Sequence, residues 1–138
     1  MRRIAGYPLW LGNVSDIRDL RALLDEGIEA VVDLAAGESP AQLPRELVYC
    51  RFPLVDGAGN STWLLNSAVE TVTSLLRASV PTLVYCGAGM SRTPAIAAAA
   101  LARVGGMPMS ATLAQVCSAG ATDMSPTLWA DLERLIGA

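Results

Sequence analysis

"PTLVYCGAGMSRTPAIAAAALARVGG", residues 81–106, changes character twice in a short span. Thr82 to Cys86 is an apolar run bounded by Pro81, the pattern of a short buried strand. From Arg92 onward, small and apolar residues fall on every side of a helix, which predicts close packing in the middle of the fold. Between the two lie Gly87, Ala88, Gly89, Met90 and Ser91, small or flexible residues that let a chain turn sharply. A strand that feeds a buried helix through a short glycine loop is a building unit of a layered α/β sheet.

The flanking sequence repeats the alternation. "YPLWLGN" at 7–13 reads as a short apolar strand, after which Ser15 caps a helix, "DIRDLRALLDEG", whose Ile17, Leu20, Leu23 and Leu24 share a face and which stops at Gly27. "IEAVVDLA" at 28–35 has the near-continuous apolar run of a buried parallel strand. "GESPAQLPRE" is loop, and "LVYCRFPLVD" at 47–56 returns as a strand that becomes irregular at Pro53. "TWLLNSAVETVTSLLRAS" has helical spacing, and "MSATLAQVCSAG" and "SPTLWADLERLIGA" complete the set as two more helices. The expectation is one α/β domain over residues 1–138, built on a central, mostly parallel sheet of about four to five strands flanked by helices.

Composition narrows the function classes. Apolar residues are 52% of the chain and charged residues 17%, which argues against disorder. No apolar stretch approaches the roughly 18 residues of a membrane span. The opening residues turn polar too early for a secretory leader, so a cytoplasmic location is expected. The net charge is −3 and the pI about 4.8, unfavourable for a nucleic-acid or anionic-membrane surface. All ten basic residues are arginine, and there is no histidine. That removes Ser-His-Asp triads, Cys-His dyads and histidine-based zinc sites. Three widely spaced cysteines, Cys50, Cys86 and Cys117, fit neither a disulfide framework nor a four-cysteine metal site.

In α/β sheets, function gathers beyond the carboxyl ends of the strands. Asp33, Asp56 and Cys86 all belong to that end of their segments. At Cys86 the loop amides can point inward as a nest, the following helix adds a favourable dipole, and Arg92 offers a planar fork matching two phosphate oxygens. Gly87, Ala88, Gly89, Met90, Ser91 and Arg92 thus form a candidate cradle for a tetrahedral dianion. Surroundings of this kind stabilise a thiolate as well as a phosphate, so the cradle and a cysteine nucleophile are one device.

Cys86-Gly87-Ala88-Gly89-Met90-Ser91-Arg92-Thr93 resembles the C-x-x-G-x-x-R-[S/T] signature of cysteine-dependent protein phosphatases, closest to the small dual-specificity type. "LWLGN", "GIEAVVDLA" and "YCRFPLVD" resemble that family's first strand, second strand and acid-bearing segment, so the likeness covers nearly the whole chain. The resemblance implies the cysteine-phosphatase fold and a two-step phosphate transfer, with Cys86 as nucleophile, Arg92 and the loop amides holding the equatorial oxygens, and Asp56 as general acid. It also implies that Thr93 hydrogen-bonds the sulfur, and that neither a metal nor another cofactor is needed. Phosphorylated proteins, through phosphotyrosine or phosphoserine and phosphothreonine, or small phosphomonoesters are the substrates so implied. The family carries histidine just before the cysteine; this chain has Tyr85. That departure keeps open a second reading, a phosphate-binding pseudophosphatase with weak or no turnover. A third, another thiol enzyme such as an arsenate reductase or sulfurtransferase, fits the cysteine spacing and the Gly/Ser-Thr loop less well.

Some residues carry open alternatives. Asp33, read as a partner for loop amides, and Asp123 are rivals to Asp56 as the acid. Asn13 is a brace for the cradle or an ordinary cap. Cys50 is a core thiol or a protective partner of Cys86, Cys117 is expected in the core, and Trp10, Trp63 and Trp129 are read as packing residues, with Trp63 also able to flank the pocket.

Overall fold

The structure is a computed structural model that describes residues 1–137. Five strands form one sheet in the order β1-β2-β5-β3-β4. They are β1 (Arg2–Arg3), β2 (Leu9–Asn13), β3 (Ala30–Ala35), β4 (Val48–Leu54) and β5 (Thr82–Cys86). The short β1 runs antiparallel to β2, and every other pairing is parallel. The expected α/β class and mostly parallel sheet are therefore what the chain forms. Pro53 sits on β4, an edge strand, where a missing N–H disturbs the ladder least.

Side chains alternate across the sheet and feed two cores. Leu9, Leu11, Val32, Leu34, Leu54, Val84 and Cys86 face one side, packed under α3 (Thr62–Arg77), α4 (Arg92–Gly105), α5 (Met109–Ala119) and α6 (Pro126–Ile136). Trp10, Val31, Leu83 and Tyr85 face the other, covered by α1 (Val14–Ile17), α2 (Leu20–Asp25) and the loop before β4. Helix α4 is the central pillar. It packs against α3, α5, α6 and β5, and Ala95 to Leu101 are fully buried. Alanine on all faces lets four neighbours approach closely, as the sequence predicts for this segment.

The helix expected after β2 is corrected in detail. It is two short helices, not one, and Ser15 is not its cap. Asn13 caps α1, accepting from the Ser15 and Asp16 amides, while the Asp16 carboxylate accepts from the Asn13 N–H. Asp19 then starts α2 by accepting from Ala22 N. Aspartate competes with the backbone inside a helix and favours a cap, so the periodic pattern is cut at Asp19.

Candidate active site

The parallel strands deliver their carboxyl ends to one edge. Asn13 closing β2 lies opposite Cys86 closing β5, and β4 ends at Leu54 just before Asp56. Beyond that edge lies a cavity of about 150 Å³ lined by Asp56, Cys86, Ala88, Met90, Ser91, Arg92 and Asp123. Cys86 is 2% exposed, at the base of the loop that runs into α4.

The loop is held by its carbonyls. Val14 N donates to Gly87 O at 3.3 Å, and Asp123 N donates to Met90 O at 2.7 Å. Gly89 has φ +75°, and a Cβ there would come within 2.6 Å of the Gly12 carbonyl oxygen. This position admits only glycine, for both conformation and space. Gly87 is different: its φ is not in the left-handed region, and a Cβ would meet Arg92 NH2 at 3.3 Å. Asn13 is the cap of α1, and the N–H of its neighbour Val14 is what holds the loop.

Arg92 NH1 is fixed by Leu54 O at 3.0 Å and Leu34 O at 3.4 Å. Its Nε is buried without a protein partner, as is Thr93 Oγ1. Unpartnered buried donors are uncommon and call for an explanation. Here two occur side by side in the signature, where an oxyanion and a sulfur would supply the missing acceptors. Ser91 leaves the usual side-chain capping role of its position unfilled and turns aside. Its hydroxyl donates to Asp56 Oδ1 at 2.5 Å and accepts from Ser125 N at 2.9 Å. Asp56 is thereby tied to the floor of the cradle.

Asp33 is brought elsewhere, and its standing as a rival acid is corrected. It is fully buried within β3, in register with Tyr85 and therefore on the sheet face opposite Cys86. Its Oδ1 accepts from Ala35 N at 2.8 Å and its Oδ2 from Tyr49 OH at 2.5 Å, with Arg51 Nε 3.7 Å away. Tyr85, in register with Asp33 on the neighbouring strand, faces the same carboxylate. Burial first, and then the Asp33 charge, pushes the phenols of Tyr85 and Tyr49 above the ordinary tyrosine range. Asp123, by contrast, lies on the cavity beside Asp56.

Three further expectations change. Cys50 cannot pair with Cys86: Val32 of β3 separates it from Val84 of β5, which places the thiols about 10 Å or more apart, whereas a disulfide needs Cα atoms within about 7 Å. Cys117 is exposed and not in the core. Trp63 is 69% exposed and so is not a packing residue, while Trp10 is buried and Trp129 packs against the main core.

Asn60 was missed by the sequence reading. Its side chain accepts from Val55 N at 2.7 Å and donates to Val55 O at 2.8 Å and Gly57 O at 3.3 Å, folding residues 55–60 into a tight loop that presents Asp56. An asparagine in a Gly-rich turn is the available signal. Tyr49 and Arg51 carried none, because their contact with Asp33 depends on the β3–β4 register.

Comparison with known proteins agrees with this geometry. The family described as "Polymorphic toxin system, DSP-PTPase phosphatase" matches residues 9–106. No curated protein sequence matches the chain. Among solved structures, human DUSP28 superposes with a TM-score of 0.87 at 25% identity, covering 99% of this chain and 95% of its own. A mouse putative dual specificity phosphatase, solved with zinc tungstate, gives 0.86 at 25%, covering 97% and 84%. The human tyrosine phosphatase-like serine/threonine/tyrosine-interacting protein gives 0.82 at 21%, covering 97% and 93%, a likeness of fold.

Proposed function

The chain belongs to the DSP-PTPase phosphatase family of polymorphic toxin systems and is a cysteine-dependent phosphatase, and from that premise we propose how its own residues carry the reaction. Cys86, as thiolate, attacks the phosphorus of a phosphomonoester. The S–P bond forms as the P–O bond to the leaving group breaks, giving a cysteinyl phosphate. Asp56 gives its proton to the leaving oxygen. Ser91 engages Oδ1, which leaves Oδ2 for that transfer. In the second step Asp56 takes a proton from water, which attacks phosphorus and returns the thiolate with inorganic phosphate. Arg92 Nε and the amides of the 87–92 loop hold the three equatorial oxygens through both steps. Thr93 Oγ1 hydrogen-bonds the departing sulfur.

The observation that carries this reading is the pair of unpartnered buried donors, Arg92 Nε and Thr93 Oγ1, in the signature that begins at Cys86. A tetrahedral oxyanion answers Arg92 Nε and the sulfur of Cys86 answers Thr93 Oγ1, and tungstate, present with the mouse neighbour, is an ion of that shape. The substrate is a phosphorylated protein, with phosphotyrosine or phosphoserine and phosphothreonine as the target groups. The cavity side chains include no lysine and no arginine besides Arg92, and two carboxylates, Asp56 and Asp123, stand on its wall. That arrangement disfavours multiply phosphorylated ligands and nucleic acid.

Trapping tests the covalent step. An Asp56→Asn variant exposed to substrate and quenched in acid should carry a phosphate adduct of Cys86 by mass spectrometry. A persulfide or disulfide at Cys86, with no phosphate adduct, would sink the phosphatase chemistry in favour of another thiol reaction.

A further inference from the structure

We propose that Arg2 is a positioning residue for the phosphate-binding loop, an inference that rests on the phosphatase reading above. Arg2 lies on β1, an edge strand far from Cys86 in sequence, yet pairing with Leu11 brings it beside the strand that flanks β5. Its NH2 donates to two carbonyls at once, Gly89 O in the cradle loop and Ala121 O in the connection between α5 and α6, each at 3.3 Å. The shaft of the side chain lies flat against Gly120, where a Cβ would overlap Arg2 Cδ and Nε. Gly120 has φ 169°, extended backbone that any residue adopts, so the glycine is needed for the close approach of Arg2 and not for conformation.

The chemistry follows from the planarity of the peptide bond. In a trans peptide the C=O of one residue and the N–H of the next point in opposite directions. An outside donor that holds a loop carbonyl outward therefore aims the following N–H toward the interior of the loop. Three carbonyls of the cradle are held in this way. Val14 N holds Gly87 O and sets the Ala88 N–H, and Asp123 N holds Met90 O and sets the Ser91 N–H. Arg2 holds Gly89 O and sets the Met90 N–H. Two of these clamps are backbone amides, which every residue type but proline supplies. The third is a side chain. It holds the peptide that follows Gly89, a residue already forced into the left-handed region against Gly12. Arg2 also ties that peptide to Ala121, two residues before Asp123, so one guanidinium joins the cradle to the segment that carries the second carboxylate of the cavity.

A double-mutant cycle on the full chain tests this. Arg2→Met, Gly120→Ala and the pair together are compared with wild type for inhibition by orthovanadate, for kcat and KM on p-nitrophenyl phosphate, and for urea unfolding. Arg2→Met should weaken vanadate inhibition and lower kcat/KM by about tenfold each, the scale of losing a charged hydrogen bond. Gly120→Ala, which keeps the arginine but fills its slot, should reproduce the loss in a protein whose unfolding midpoint is close to wild type. The double variant should be no worse than the worse single variant, because both remove one clamp. Folded Arg2→Met or Gly120→Ala with vanadate inhibition and kcat/KM within twofold of wild type would overturn the proposal. So would losses that multiply in the double variant. A wild type that neither hydrolyses the ester nor binds vanadate would instead overturn the phosphatase reading.

Discussion

Replacing Asp56 by asparagine removes the proton that the leaving oxygen needs while keeping the shape that Ser91 binds. Turnover of an aryl phosphate with a poor leaving group should fall by about 10²–10⁴-fold, and that of p-nitrophenyl phosphate by less, since its leaving group needs little help. Asp123→Asn, on the same cavity but without the Ser91 tie, should leave this leaving-group dependence unchanged. Equal effects of the two substitutions would remove the assignment of Asp56. Ser91→Ala deprives Asp56 of its tether and leaves Ser125 N without its acceptor, which should cost about 1 kcal/mol of stability in urea unfolding along with a lower kcat. Cys86, Arg92, Thr93 and Asp56 were legible in the sequence because their spacing is local or sits at a strand end. Asp123, Asn60 and Arg2 were harder, since each acts through contacts that form only after the sheet and the α5–α6 connection close. Tyr85 stands where the family carries histidine, one residue from Cys86 in sequence. Strand alternation sends it to the opposite face, where it meets Asp33.

At the scale of elements, the site is a strand, a loop and a helix with little freedom to adapt. Gly89→Ala must hold a side chain at φ +75° and against the Gly12 carbonyl. The left-handed conformation alone costs about 1–2 kcal/mol, and the clash adds to it. Urea unfolding should record the loss, and vanadate binding should fall more steeply than stability, because the loop amides lose their aim. Vanadate affinity unchanged in a destabilised Gly89→Ala protein would show that the loop does not bind through its backbone. Helix α4 is supported from four sides, so Leu101→Ala should cost about 2–5 kcal/mol, measurable in the same experiment. Strands and long helices were readable from period and composition because each contributes a buried face. The break between α1 and α2 was not, since Ile17, Leu20 and Leu23 keep a helical period across Asp19, and only the capping chemistry of that aspartate interrupts it.

The whole molecule is two cores on one sheet, and the smaller one encloses a buried carboxylate. Asp33 is neutral to the reaction as drawn, but Tyr49, Arg51, Tyr85 and the Ala35 amide are arranged around it. Burial of both phenols and the adjacent charge raise their native pKa values above the unfolded value near 10. Below about pH 10 both states keep these protons, and the stabilisation is fully present. Above it the unfolded chain loses protons that the native chain retains, so stability falls as pH rises toward the native values. The urea midpoint should therefore decline above about pH 10, and tyrosinate absorbance from Tyr85 should appear only with unfolding. Tyr85→Phe should flatten that alkaline slope. A midpoint that is flat through pH 11 would contradict the buried network. The central claim, however, concerns the other face of the sheet, and p-nitrophenyl phosphate hydrolysis without added metal, by wild type beside Cys86→Ser, tests it most directly. The account predicts turnover by the wild type that vanishes in the folded variant. Equal activity in both, or none in a folded wild type, would contradict it.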